Sequence, residues 1–107
     1  MFLKQKESDI VKLLLQYLEL MGFLAFRINA GMIFIESKAV KLAPKGVSDI
    51  IAIDKRNGKF IAIEAKTPER IKKLSTAQRN FLSQVRMSGG TAFVACSIDD
   101  VKKNLKI

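Results

Sequence analysis

The dipeptide Asn57-Gly58, set between two runs of β-forming residues, constrains this chain more than any other feature. Asn-Gly supplies the positive φ angles a tight hairpin demands, and the flanking segments Val47–Asp54 and Lys59–Lys66 are rich in residues that favour strands. The two segments are expected to pair antiparallel. With a two-residue turn at Asn57-Gly58, Arg56 faces Lys59, Ile51 faces Glu64 and Asp49 faces Lys66. With a four-residue loop, Lys55 to Gly58, Asp49 faces Glu64 instead. Either register leaves Asp49, Glu64 and Lys66 on one face, because side chains alternate along a strand. Opposed and diagonal neighbours then lie roughly 5–8 Å apart. Ile50 to Ile53 and Phe60 to Ile63 are apolar at every position, which predicts central strands covered on both sides. Charges at the ends of buried strands cost free energy unless paired, and they more often mark a site than decorate a surface.

Two carboxylates at that separation repel, and each favours its protonated form unless a cation sits between them. A hard divalent ion with oxygen ligands compensates them, and Mg²⁺ typically takes one or two carboxylates while keeping water or phosphate oxygens in the rest of its shell. Such an ion acidifies water and stabilises charge developing at phosphorus. Lys66 is then placed to orient the attacking water or to neutralise the transition state. The plainer reading is an ordinary cross-strand Asp49–Lys66 pair beside an unrelated Glu64.

The chain has 107 residues, enough for one small domain spanning 1–107 with a single core. It carries 19 Lys and Arg against 10 Asp and Glu, a formal charge of +9 that draws it to polyanions, nucleic acid first. No apolar run reaches the roughly 20 residues of a spanning helix and no signal-peptide pattern opens the chain, so no membrane partner is expected. The lone Cys96 cannot form an internal disulfide and suits a reducing compartment such as the cytoplasm. There is no histidine, which excludes imidazole metal sites, His general bases and Ser-His triads. Hydrolysis would have to run on carboxylates, lysine and metal, with no small-molecule cofactor.

Around the hairpin the chain reads as one αβββαβα run, an α/β fold with a central mixed sheet flanked by helices. Residues 3–21 form a helix with Ile10, Leu13, Leu14, Tyr17, Leu18 and Met21 at helical spacing and Gly22 as its stop. Glu7 falls on the same stripe one turn before Ile10, pointing towards the sheet; an early glutamate also complements the helix dipole. Phe23 to Ile28 is a first strand, with Asn29-Ala30-Gly31 a turn before the apolar segment Met32 to Ile35. Lys38, Lys41 and Lys45, with Pro44 and Gly46, are expected in a loop that lines a groove for a phosphate backbone, although exposed loops carry lysines in any case. Thr67 to Lys73 is a polar, basic connection ending in Lys72-Lys73. Ser75-Thr76-Ala77-Gln78 opens a second helix to Met87 with a capping-box sequence, in which Gln78 bonds back to the Ser75 backbone. Thr91 to Cys96 is a last buried strand, and a short amphipathic helix follows from Ser97 through Leu105.

Glu7, Arg27-Ile28-Asn29-Ala30-Gly31, Gly46-Val47-Ser48-Asp49-Ile50, Ile63-Glu64-Ala65-Lys66 and Leu74-Ser75-Thr76-Ala77-Gln78 together resemble the VRR-NUC domain of the PD-(D/E)XK nuclease superfamily, over Glu7 to Val94. The likeness is to stand-alone, phage-type members. It implies a restriction-endonuclease-like core and a divalent metal, Mg²⁺ with Mn²⁺ able to substitute, held at Asp49, Glu64 and the Ala65 carbonyl. It further implies Lys66 as catalytic lysine, with Glu7 and Gln78 completing the site. The expected activity is cleavage of branched DNA, including four-way junctions, by a homodimer. Arg27, Asn29, Lys38, Lys41, Lys45, Ser48, Lys72 and Lys73 are the expected DNA contacts. The superfamily's proline before the aspartate is Ser48 here. Two other readings stand beside this one: an archaeal-type Holliday junction resolvase of the same superfamily, and a non-catalytic basic DNA-binding domain.

Overall fold

A computed structural model describes residues 5–28, 32–41 and 43–107. Asn29 lies outside the described residues, and Lys41 is described by its backbone position alone. Helix α1, Glu7–Leu20, begins where the Asp9 carboxylate accepts a hydrogen bond from the Lys6 N–H at 3.2 Å, and it stops at Gly22, whose φ of +89° favours glycine. Its buried stripe is Ile10, Val11, Leu14 and Leu18. The expected stripe is therefore rotated: Leu13 and Met21 are exposed, because the helix presents the arc centred on Leu14 to the sheet.

Strand β1, Phe23–Arg27, runs antiparallel to β4, Ile50–Asp54, which runs antiparallel to β5, Phe60–Ala65. The chain then crosses over through a short 3-10 turn and helix α2, Thr76–Met87, to β6, Thr91–Ala95, parallel to β5. The sheet order is β1-β4-β5-β6, a mixed α/β arrangement of the kind expected. Helix α3, Ile98–Leu105, joins α1 on one face over Ile50, Ala52, Ile61, Ile63, Phe93 and Ala95. On the other face α2 brings Leu82 and Val85 onto Ile51, Ala62 and Ala92. Strand β5 is thus covered on both sides, as its sequence predicts. Coverage fails at the far end of the hairpin, where Ile53 is half-buried and Phe60 exposed.

The hairpin adopts the four-residue loop. Ile50 pairs with Ile63 and Ile53 with Phe60, and the Asp54 N–H donates to the Lys59 carbonyl at 3.0 Å. The reason lies at Asp54. Its carboxylate accepts from the Arg56 backbone N–H at 2.9 Å and from the guanidinium at 3.1 and 2.8 Å, while its carbonyl accepts from Gly58. Arg56 also holds the Asp54 carboxyl below the usual carboxylate range. These bonds organise Lys55 to Gly58 as a unit, and only Gly58, at φ +72°, takes the left-handed conformation.

Segment 38–41 departs from the expected loop. Lys38–Lys41 is strand β3, paired antiparallel with β2, Met32–Ile35, in a separate two-stranded sheet. The turn between them is Glu36-Ser37, both at positive φ (50° and 66°), a conformation usually signalled by Gly or Asn. With neither present, the sequence gives no turn cue there.

Candidate active site

One step beyond the Ile50–Ile63 pair, the register sets Asp49 directly opposite Glu64. Asp49 precedes β4 and is fixed from two sides: the Ile28 N–H donates to its carbonyl at 2.9 Å, and its Oδ2 accepts from the Ala65 N–H at 2.9 Å. The side chain thereby takes a backbone donor that lies beyond the last pair of the β4–β5 ladder. Asp49 and Glu64 share the face of Ile51 and Ala62, the face that α2 covers. Lys66, two residues past Glu64, alternates onto that face as well.

Glu64 is 2% exposed and Lys66 6%. Glu64 Oε1 accepts from Gln78 Nε2 at 2.9 Å, whereas Oε2 is buried with no hydrogen-bond partner. Burial, first, and then the Asp49 carboxylate push the Glu64 carboxyl up from about 4.5 to about 8; Glu7 adds to this and Lys66 opposes it. A partnerless carboxylate oxygen, a facing carboxylate and oxygen donors throughout fit a hard divalent cation. Asp49, Glu64 and the Ala65 carbonyl are the groups that would hold it. No trio of Asp, Glu, Cys or His side chains among the described residues forms a metal cage by itself, so the fit is to an ion that keeps much of its shell for water and phosphate. Glu7 is half-buried in the first turn of α1 and acts on Glu64 through its charge, without joining such a trio.

Gln78 combines two roles that the sequence presents as alternatives. Its Oε1 accepts from the Ser75 N–H at 2.9 Å and its own N–H donates to Ser75 Oγ at 3.1 Å, closing the capping box. With Oε1 held there, Nε2 is left to donate to Glu64. The start of α2 is in turn seated against the segment before Asp49. A Cβ on Gly46, which sits at φ +80°, would collide with the backbone of Ala77 and Gln78. Glycine at that position lets the carriers of Asp49 and Gln78 approach, a contact the sequence signals only as a glycine three residues before an aspartate. Gly46→Ala is expected to lower both the melting temperature and the turnover number, measured side by side; an unchanged pair of values would refute the seating.

Of the expected DNA contacts, Arg27, Lys38, Lys45, Lys72 and Lys73 are exposed. Arg27 pairs with Ile50 at the Asp49 end of β1, and Lys72 and Lys73 lie in the connection between β5 and α2. Ser48 is a correction. It is fully buried with its Oγ unpartnered, because alternation turns it away from Asp49 into the α1 side, and it cannot touch DNA.

The pKa of Glu64 carries a signed expectation. Between its unfolded value and about 8 the folded chain holds a proton that the unfolded chain has lost. Metal-free stability should therefore fall as pH rises through that window, and Glu64→Gln should remove most of the fall. A cation must displace the same proton, so its affinity should rise about tenfold per pH unit below that pKa and level off above it. Mn²⁺ titrations across the window test this; a pH-independent affinity would contradict it.

The VRR-NUC domain family matches residues 23–98. Among solved structures, the chain resembles Hjc, a Holliday junction resolvase from the archaeal hyperthermophile Archaeoglobus fulgidus, with a TM-score of 0.56 and 26% identity over 84% of this chain and 67% of that one. Hjc has the restriction-endonuclease-like fold, and the mixed sheet and flanking helices described above are that fold. Among curated proteins no sequence match is found.

Proposed function

The chain belongs to the VRR-NUC nuclease domain family, and from that membership we propose that it is a divalent-metal-dependent endonuclease that hydrolyses phosphodiester bonds in branched DNA, four-way junctions among its substrates. The observation that carries the reading is the buried Glu64 Oε2, without a hydrogen-bond partner, on a residue that the register sets opposite Asp49. The likeness to a Holliday junction resolvase supports the choice of branched substrates. Mg²⁺ is the proposed ion, with Mn²⁺ as its substitute, and a homodimer is the proposed assembly.

When bound, the cation supplies Lewis acidity towards phosphate and acidifies water. The chain's own groups do the rest. Asp49 and Glu64 hold the ion, and the bonds from Ala65 and Gln78 fix which carboxylate oxygens are free for it. Lys66, buried beside them, directs its charge at the phosphate and the attacking water. Glu7 raises the local negative potential and so strengthens cation capture. Arg27, Lys38, Lys45, Lys72 and Lys73 hold the DNA backbone. No helix among the described residues is long and apolar enough to cross a membrane.

The test is cleavage of labelled duplex, single-stranded, flap and four-way substrates with Mg²⁺. Faster cutting of the branched forms is expected, and equal rates on plain duplex would remove the structure selectivity. Binding, measured without divalent metal, should weaken steeply with salt, because the +9 charge acts by counterion release. Neutralising on the order of 6 phosphates gives a log–log slope of about −5. A slope near zero would take DNA away as the partner.

A further inference from the structure

At the end of the sheet remote from Asp49 and Glu64 lies a recess of about 320 Å³ that takes no part in the site described above. Its floor is Phe23, Ile61 and Leu105, which belong to the core that α1 and α3 cover, so it opens on the opposite face of the sheet from Glu64. Three cations stand around that floor. Arg56 and Lys59 come from the β4–β5 loop and Lys106 from the end of α3. Thr91 and Asn104 add neutral polar groups, and Asp54 is the one carboxylate among the described lining residues. Three positive charges against one negative leave the recess at +2.

Asp54 orients this charge. It is only 6% exposed, and its Oδ1 accepts from the Arg56 backbone N–H at 2.9 Å and from Nε at 3.1 Å, while Oδ2 accepts from Nη2 at 2.8 Å. A guanidinium has five N–H donors, so this side-on pair uses two and leaves three on the outer edge. Arg56 is thus held in place before any ligand arrives, and its free edge is the fork that phosphate oxygens accept in pairs. Asn104 Nδ2 gives one hydrogen to the Asp100 carbonyl at 2.8 Å and keeps the other. An apolar floor beneath the cations lowers the local dielectric and strengthens their pull on an anion. Cations arriving from two elements, with an amide and a hydroxyl between them, suit the several oxygens of a phosphate better than the two of a carboxylate.

We propose that this recess binds a phosphate group, carried by a free nucleotide or by a nucleic-acid strand, with the free edge of Arg56 as its principal donor and Lys59 and Lys106 as its counter-charges. The site is separated from the carboxylate pair by the five residues of β4, roughly 16 Å of extended strand, and by the thickness of the sheet. The phosphate held here is therefore not one that Asp49 and Glu64 could act on, and the inference stands apart from the nuclease reading.

Amide chemical shifts of the isotopically labelled chain, followed without divalent metal while inorganic phosphate, deoxyadenosine monophosphate or a short oligothymidylate is added, test the site. Saturable shifts centred on Arg56, Lys59, Thr91, Asn104 and Lys106 are expected with inorganic phosphate. Tighter binding of the nucleotide at these same amides would assign the site to free nucleotides, and tighter binding of the strand would assign it to nucleic acid; both support the proposal. Arg56→Lys keeps the charge but loses the fork, and should weaken phosphate binding about tenfold. Because Arg56 also organises its loop, the double variant Lys59→Gln/Lys106→Gln, whose side chains take part in none of the Asp54 bonds, provides the second measurement. It should weaken binding about tenfold or more while the remaining amide shifts stay in place. Shifts spread over the basic surface without saturation would show only the general attraction of a +9 chain and would overturn the proposal, as would an affinity unchanged in the lysine variant.

Discussion

Asp49→Ala and Glu64→Ala are each expected to abolish cleavage while leaving DNA binding intact or tighter. The register sets the two carboxylates opposite each other at the end of a buried hairpin, so losing either would remove half of the anionic ligands of the proposed cation. The same change removes negative charge from a surface that must accept phosphate, which is why affinity should hold or rise. Glu64→Ala also deprives Gln78 Nε2 of its acceptor, so its melting temperature reports a structural change that Asp49→Ala reports through the Ala65 N–H. Single-turnover cleavage at saturating Mg²⁺, with binding measured in the absence of metal, separates chemistry from affinity. Unchanged turnover in Asp49→Ala would sink the assignment of the pair.

The hairpin and its carboxylate face were legible because alternation and an Asn-Gly turn are local signals. The register was not, because it depends on Asp54 and Arg56 bonding across the loop, and both candidate registers satisfy the same apolar pattern. The β2–β3 hairpin escaped for a related reason, since its turn is built from Glu36-Ser37 without Gly or Asn. Ser48 could be placed beside Asp49 from the sequence, but only the covering helix α1 shows that its side is closed to DNA. Gln78 looked like a choice between capping and site chemistry; a primary amide has separate donor and acceptor ends, and the fold uses one for each.

Lys66→Ala is expected to slow cleavage by roughly 10²–10³-fold with little change in metal or DNA affinity, as for charges aimed at a transition state. The register strengthens this reading. With Asp49 opposite Glu64, Lys66 is no longer the direct cross-strand partner of Asp49, and an ordinary strand pair does not account for a lysine only 6% exposed. Its charge favours ionisation of Glu64, so Lys66→Ala should also move the acid limb of the pH–rate profile upward. Lys66→Arg should rescue poorly, because a planar guanidinium cannot occupy the place of a compact ammonium. A near-normal rate in Lys66→Ala, together with a melting temperature lowered by a cross-strand contribution of about 1 kcal/mol or less, would leave the lysine a structural role alone.

The central claim is that the Asp49–Glu64 pair holds a divalent cation that hydrolysis requires. Single-turnover cleavage of a labelled four-way junction by the wild-type chain, in parallel with Mg²⁺, with Mn²⁺ and with chelator, tests it most directly. The account predicts cutting near the branch with either metal and none with chelator. Cleavage that persists undiminished in chelator, or that appears with neither metal, would contradict it.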